Sequence, residues 1–247
     1  MKLTVIGYWG AYPGPGGASS GYLIESEGSG KDDRFLLDCG SGILSKLHEY
    51  TDISKLNNVV LSHYHSDHIA DIGCLQYAAK VQMSQKERNI PVSIYGHTLG
   101  EFFNKLSFDD VSIGKPIEEG EPLAIGPFIL TFKQTPHPVP GFAARIESSG
   151  KSIGYTGDTG WDDNLSGFFK DVDILLCESN LYNKYKGMVE GHLTAGEAGR
   201  LAKDAGVGEL ILTHLPHSGN HKDLIKEAAA VFDGKIELAE SGKIWRC

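Results

Sequence analysis

Three imidazoles and a carboxylate fall within one short stretch, His63-Tyr64-His65-Ser66-Asp67-His68, directly after the apolar run Asn58-Val59-Val60-Leu61-Ser62. Such a run reads as a buried strand, so the four potential ligands leave a sheet edge together. In extended chain His63 and His65 point to one side, and a turn after them sends Asp67 and His68 elsewhere. That arrangement can serve two metal ions. Imidazole and carboxylate without thiolate suit zinc, manganese or iron, and these residue types do not choose among them.

Four ligands cannot complete two coordination spheres, so other strand ends must contribute. His137 follows the run from Phe128 to Thr135, Asp158 lies in Gly154-Tyr155-Thr156-Gly157-Asp158-Thr159, and His214 follows Glu209-Leu210-Ile211-Leu212-Thr213. A lone His or Asp at a strand end is more often a turn residue or a hydrogen-bond partner. Their coincidence at four strand ends makes a cluster the specific expectation.

The 247 residues, 40% of them hydrophobic, suffice for a substantial core, and one domain over 1–247 is expected. Runs at 3–6, 22–24, 35–37, 59–61, 92–94, 128–132, 142–146, 152–155, 174–176 and 210–212, bounded by Gly, Pro, Asp or Asn, read as strands. Helical stretches are expected after Gly42, Gly73, Gly100, Thr194 and Lys222. The mixture suits α/β architecture with layered sheets and outer helices better than strict βαβ alternation. Thr194-Ala195-Gly196-Glu197 reads as a capping box, followed by an apolar face of Ala198, Leu201, Ala202 and Ala205. The glycine-rich stretch Gly14 to Gly21 is a loop and not a phosphate loop, since no Gly-Lys-Ser/Thr follows it.

The first apolar run is too short for a signal-peptide core, and no run approaches the ~18 apolar residues of a membrane span. Cys39, Cys74, Cys177 and Cys247 form no Cys-x-x-Cys pair, which argues against a zinc knuckle or redox motif and fits reduced thiols in cytoplasm. A net charge of −9 counts against non-specific binding to a nucleic-acid backbone, although Arg145, Lys184 and Lys186 leave room for a local basic patch.

Along nearly its whole length the sequence resembles the metallo-β-lactamase superfamily, through Leu37-Asp38-Cys39-Gly40-Ser41-Gly42, His63 to His68, His137, Tyr155 to Thr159 and Thr213-His214. The resemblance implies a four-layer αββα sandwich with its site at one sheet edge. It implies that His63, His65 and His137 hold one metal, that Asp67, His68 and His214 hold the other, and that Asp158 bridges them with a water. Asp38 would stand behind the ligands and orient them.

β-Lactamases of this fold place Cys where Asp158 stands, so the chain looks like the dinuclear branches: phosphodiesterases, glyoxalase-like thioesterases and lactonases. Asp173 to Ser179 followed by Gly191-His192-Leu193-Thr194-Ala195 is similar to ribonuclease Z, which implies a Glu178–His192 pair beside the metals. Cys177 and Ser179 depart from that pattern. Ribonuclease Z also carries a long arm for transfer RNA between the segments matching His137 and Asp158, whereas a short strand-turn-strand is expected here.

The leading expectation is therefore a phosphodiesterase acting on a nucleotide, cyclic phosphate or short nucleic-acid end through a hydroxide bridging two divalent ions. Zinc stands foremost, with manganese or iron as alternatives. Asp67, Glu178 and His192 are the candidate catalytic residues; a small anionic substrate is favoured over nucleic acid, and no membrane partner is expected. A thioesterase or lactonase on the same scaffold is the alternative, and a non-catalytic metal-binding regulator the third, against which all seven ligand positions being filled counts. His48 and His97 read as structural or solvated. His217 and His221 either line the substrate mouth or serve the fold.

Overall fold

Period-two alternation with both faces apolar dictates the layering. In β3 (Arg34–Leu37) the side chains of Phe35 and Leu37 join one apolar cluster while Leu36 joins another, and all three are buried. In β12 (Glu209–Thr213) Ile211 joins the same central cluster as Phe35, whereas Leu210 and Leu212 face a third. Strands buried on both faces need cover on both sides, which only a multilayer arrangement supplies.

The computed structural model describes residues 1–26 and 33–247 and shows that arrangement. One sheet has the order β14 (Ile244–Arg246), β1 (Lys2–Gly7), β2 (Gly21–Glu25), β3, β4 (Asn58–Val60), β5 (Val92–His97) and β6 (Ser112–Ile117). The other runs β13 (Lys235–Leu238), β12, β11 (Ile174–Glu178), β10 (Lys151–Tyr155), β9 (Gly141–Ser148), β8 (Phe128–Thr135) and β7 (Leu123–Ile125). The central cluster, with Phe35, Phe128, Phe142, Tyr155 and Trp245, fills the space between the sheets. Outside the first sheet pack α1 (Ile43–Leu47), α2 (Ser66–Ile69) and α3 (Ile72–Ser84); outside the second pack α4 (Asn164–Phe168), α5 (Ala195–Ala205) and α6 (His221–Ala229). This is the αββα sandwich.

Topology explains why the ligand-bearing segments meet. β3 to β6 are mutually parallel, as are β10 to β13, so their carboxyl ends share a direction within each sheet. β8 is antiparallel to β9, which is antiparallel to β10, so β8 again points with β10. Asp38, His63, His137, Asp158, Glu178 and His214 all lie at or just beyond such carboxyl ends.

Several expectations at the level of elements need correction. α3 begins at Ile72, ahead of Gly73, and the stretch after Gly100 is a 3-10 turn, Glu101–Leu106, with no α-helix. α6 begins at His221 behind an Asn220 cap, one residue before Lys222. Asp67 and His68 sit in the single helical turn α2. Strands β6, β7, β13 and β14 and helix α4 carry no expectation from the sequence. Among the described residues no helix is long and apolar enough to cross a membrane.

Candidate metal centre

The turn after β4 divides its own ligands. His63 and His65 remain in irregular chain, with His65 capping α2 in extended conformation, while α2 swings Asp67 and His68 to the other side. Chain from the second sheet completes each side. Ligand atoms of His63, His65, His137 and Asp158 lie within 4.8 Å of one another, and so do those of Asp67, His68, Asp158 and His214. Asp158 alone belongs to both groups.

Asp158 lies 3.3 Å from His68 Nε2, 3.4 Å from His214 Nε2 and 3.6 Å from His63 Nε2. Its burial alone would raise its pKa; the imidazoles of His214, His68 and His63 outweigh that and hold the carboxyl well below the usual range. His63 is driven the other way, its burial and the neighbouring His68 keeping the ring neutral and therefore able to ligate.

The donor set fits divalent cations. His63 Nε2 and Asp158 Oδ1 are buried without a hydrogen-bond partner among the described residues. Polar atoms buried unsatisfied are costly, and a bound ion is one way to satisfy them. His65 Nδ1 and His137 Nε2 face each other at 3.1 Å, an approach that two basic nitrogens make around a shared proton or cation.

Behind the ligands, buried Asp38 accepts from Ser62 N–H at 2.7 Å, Ser62 Oγ at 2.8 Å, His68 Nδ1 at 2.7 Å and Tyr155 Oη at 2.7 Å. Bonding His68 through Nδ1 leaves Nε2 for the ligand group. His137 is oriented likewise, with Nδ1 2.9 Å from the Gly191 carbonyl. Asp38 and His214 both adopt left-handed backbone, with φ of 57° and 52°, a conformation costing of order 1–3 kcal/mol that here aims their side chains into the cluster.

Beside the two groups, His192 Nδ1 lies 3.0 Å from Glu178 Oε1. The buried Glu178 carboxylate is fixed by the Thr159 N–H at 3.0 Å and the Asn180 N–H at 3.2 Å. The His192 ring stacks on His214 with centroids 5.4 Å apart and meets His137 edge-on at 5.3 Å. Burial lowers the His192 pKa, but the charge and hydrogen bond of Glu178 overcome it, so that the ring is pushed up to about 9.

A family model described as the beta-lactamase superfamily domain matches residues 33–215, well over half of the sequence. The chain belongs to the beta-lactamase superfamily. Within that superfamily it is 46% identical over 248 residues to the "Probable metallo-hydrolase YhfI" of Bacillus subtilis (strain 168), covering 99% of each chain. The crystal structure of the metallo-beta-lactamase fold protein YhfI from Bacillus subtilis matches with a TM-score of 0.95 and 44% identity, over 99% of this chain and 98% of that one. The chain is also 27% identical over 273 residues to a "Ribonuclease Z" of Mycobacterium bovis (strain BCG / Pasteur 1173P2), covering 96% and 95% of the two. It is thus a metal-dependent hydrolase of the beta-lactamase superfamily with His/Asp clusters able to bind metal.

Other features of this superfamily member carry no local sequence signal. The Ala11 N–H donates to Asp67 Oδ2 at 2.8 Å, and the N–H groups on Glu178 are likewise main-chain donors. Tyr155 stands beside the Asp158 motif, yet only the packing of one sheet on the other brings its hydroxyl to Asp38. His48 is exposed at the end of α1, and buried His97 packs on Tyr64 at 4.1 Å, outside the ligand groups. His217 Nε2 bonds the Gly10 carbonyl at 2.9 Å and His221 Nε2 the Pro216 carbonyl at 2.7 Å, so both tie down the chain that follows His214.

Proposed function

We propose that this hydrolase is a dinuclear phosphodiesterase acting on a small anionic phosphodiester, a nucleotide, cyclic phosphate or short nucleic-acid end. The observation that carries the reading is the Glu178–His192 dyad, held at 3.0 Å and stacked on His214 at the junction of two ligand groups that share Asp158. A pair of divalent ions, zinc foremost, would supply a water activated for attack near neutral pH and offset the charge of the phosphate. His63, His65 and His137 would hold one ion, Asp67, His68 and His214 the other, with Asp158 common to both.

The chain's own residues account for the remaining needs of the reaction. Glu178 accepts the Nδ1 proton of His192 and so keeps a second proton on Nε2, the nitrogen free to donate. Donation to the departing oxygen matters because charge builds there as the P–O bond breaks. Asp67, held by the Ala11 N–H, would orient the attacking water. The similarity to proteins named Ribonuclease Z supports phosphodiester chemistry. A large RNA is disfavoured by the charge of −9 and by the tight turn of the β9–β10 hairpin, which joins the His137 and Asp158 segments without an arm.

The test compares two phosphodiesters in His192→Ala, one with an alkoxide and one with a nitrophenolate leaving group. Turnover of the alkyl ester should fall by about 10²–10⁴-fold, the range a general acid supplies, and that of the nitrophenyl ester far less, at constant metal content. Equal losses for both would remove His192 as the acid. A fully metallated enzyme that cleaves thioesters quickly and no phosphodiester would replace this reading with the thioesterase one.

A further inference from the structure

The glycine-rich loop between β1 and β2 holds no ligand of the proposed metals, yet it is bolted to them. Ala11, at φ 62°, turns its N–H onto Asp67 Oδ2, and a Cβ on Gly10 would stand 2.9 Å from His214 Nδ1. Ala has no intrinsic preference for left-handed backbone, so the bond to Asp67 and the packing around it hold this conformation. The next residue is Tyr12.

From this loop a column of rings rises. Gly14 and Gly17 lie so close to Trp9 that a Cβ on either would meet its indole at 2.7 or 2.8 Å. Trp9 stacks on His217 with centroids 4.8 Å apart and planes 12° apart, and Tyr12 stacks on His217 at 3.6 Å and 2°. Two rings parallel to one imidazole at these distances occupy its opposite faces. The rings run Trp9, His217, Tyr12, and Trp9 is backed by the glycine backbone, by Tyr8 stacked at 5.1 Å and 27°, and by His221 tilted at 5.5 Å. Neither Trp9 nor Tyr12 belongs to any of the three apolar clusters that build the core. Tyr12 remains 58% exposed.

We propose that Tyr12 is the stacking platform for the base of a nucleotide whose phosphate sits at the metal centre; this names the substrate class of the phosphodiesterase reading and rests on it. A column closed at its Trp9 end by Tyr8 and the glycine backbone, and exposed at Tyr12, offers a planar face already held in place. A nucleobase is the group that such a face recognises, because every base presents a π-surface. Anchorage of the same loop on Asp67 and His214 fixes the distance from base to phosphate. The platform discriminates nucleotidyl esters from simple alkyl esters and is tolerant of base identity.

The experiment uses the zinc-loaded protein and the variants Tyr12→Ala and Tyr12→Phe. Turnover is measured on thymidine 5′-(4-nitrophenyl phosphate) and on methyl 4-nitrophenyl phosphate, which share a leaving group and differ in the base. Binding of thymidine 5′-monophosphate and of methyl phosphate is measured by calorimetry. In Tyr12→Ala the preference in kcat/KM for the thymidine ester and the affinity for thymidine 5′-monophosphate should each fall by about 5- to 100-fold, as loss of one stacked base implies. Tyr12→Phe, which keeps the ring, should retain both. Unchanged preference and affinity in Tyr12→Ala, with both esters cleaved by the parent, would overturn the platform and leave the phosphodiesterase reading standing. Ring-dependent nucleotide binding in a protein that cleaves neither ester would sustain the platform and sink the phosphodiesterase reading. A protein that cleaves neither ester and whose affinity for thymidine 5′-monophosphate is unchanged in Tyr12→Ala would sink both.

Discussion

Asp158 is the one side chain common to both ligand groups, and three imidazoles within 3.6 Å surround its carboxylate. Replacing it would remove a member of both groups, whereas replacing His63 would remove a member of one only. In Asp158→Ala, metal bound after dialysis against zinc should therefore drop from about two ions per chain to below one. His63→Ala should retain about one ion. Metal analysis by mass spectrometry checks this, and equal loss in both variants would leave the partition without support. At this scale the candidate ligand groups were legible because their chemistry resides in side-chain type and in position at a strand end. The donors that fix Asp67, Glu178 and Asp38 were not. Ala11, Thr159 and Asn180 act through main-chain N–H groups, which every non-proline residue possesses, and Tyr155 reaches Asp38 only across two sheets.

Elements were legible in proportion to their burial. The four strands absent from the sequence reading, β6, β7, β13 and β14, are the four edge strands of the two sheets. An edge strand packs on fewer neighbours and tolerates charge, and β13, Lys-Ile-Glu-Leu, has no fully buried residue. Central strands such as β11, with every residue buried, announce themselves as continuous apolar runs. The α5 start was legible for a different reason, since a capping box is local chemistry. Thr194 Oγ1 accepts the Glu197 N–H at 3.2 Å, and Glu197 Oε2 accepts the Thr194 N–H at 3.0 Å. Thr194→Ala should cost about 1 kcal/mol in stability by chemical denaturation, with the urea dependence unchanged. Because His192 is fixed by Glu178 on β11 and not by the cap, zinc binding should persist in that variant. A stability change within about 0.3 kcal/mol of zero would show that the cap is redundant with the packing of α5.

The two ligand groups draw on both sheets of the molecule. His63, His65, Asp67 and His68 follow β4 of the first sheet, while His137, Asp158 and His214 follow β8, β10 and β12 of the second. Bound ions would therefore cross-link the halves of the sandwich at the edge where the central apolar cluster ends. The layering that makes this possible was implied by resemblance, since apolar periodicity finds strands without saying which sheet receives them. A ligand that binds the folded chain and not the unfolded one stabilises it by mass action, by about 4 kcal/mol at a thousandfold excess over Kd. For a chain of this size that corresponds to a rise in Tm of roughly 8–16 °C. Scanning calorimetry of protein stripped with a chelator and then titrated with zinc should show Tm climbing with zinc concentration. Asp158→Ala should lose most of that climb, because the residue common to both ligand groups is gone. A stripped protein, shown by metal analysis to be empty, that unfolds at the same temperature as the zinc-loaded one would mean that the central cluster alone sets the stability of the sandwich.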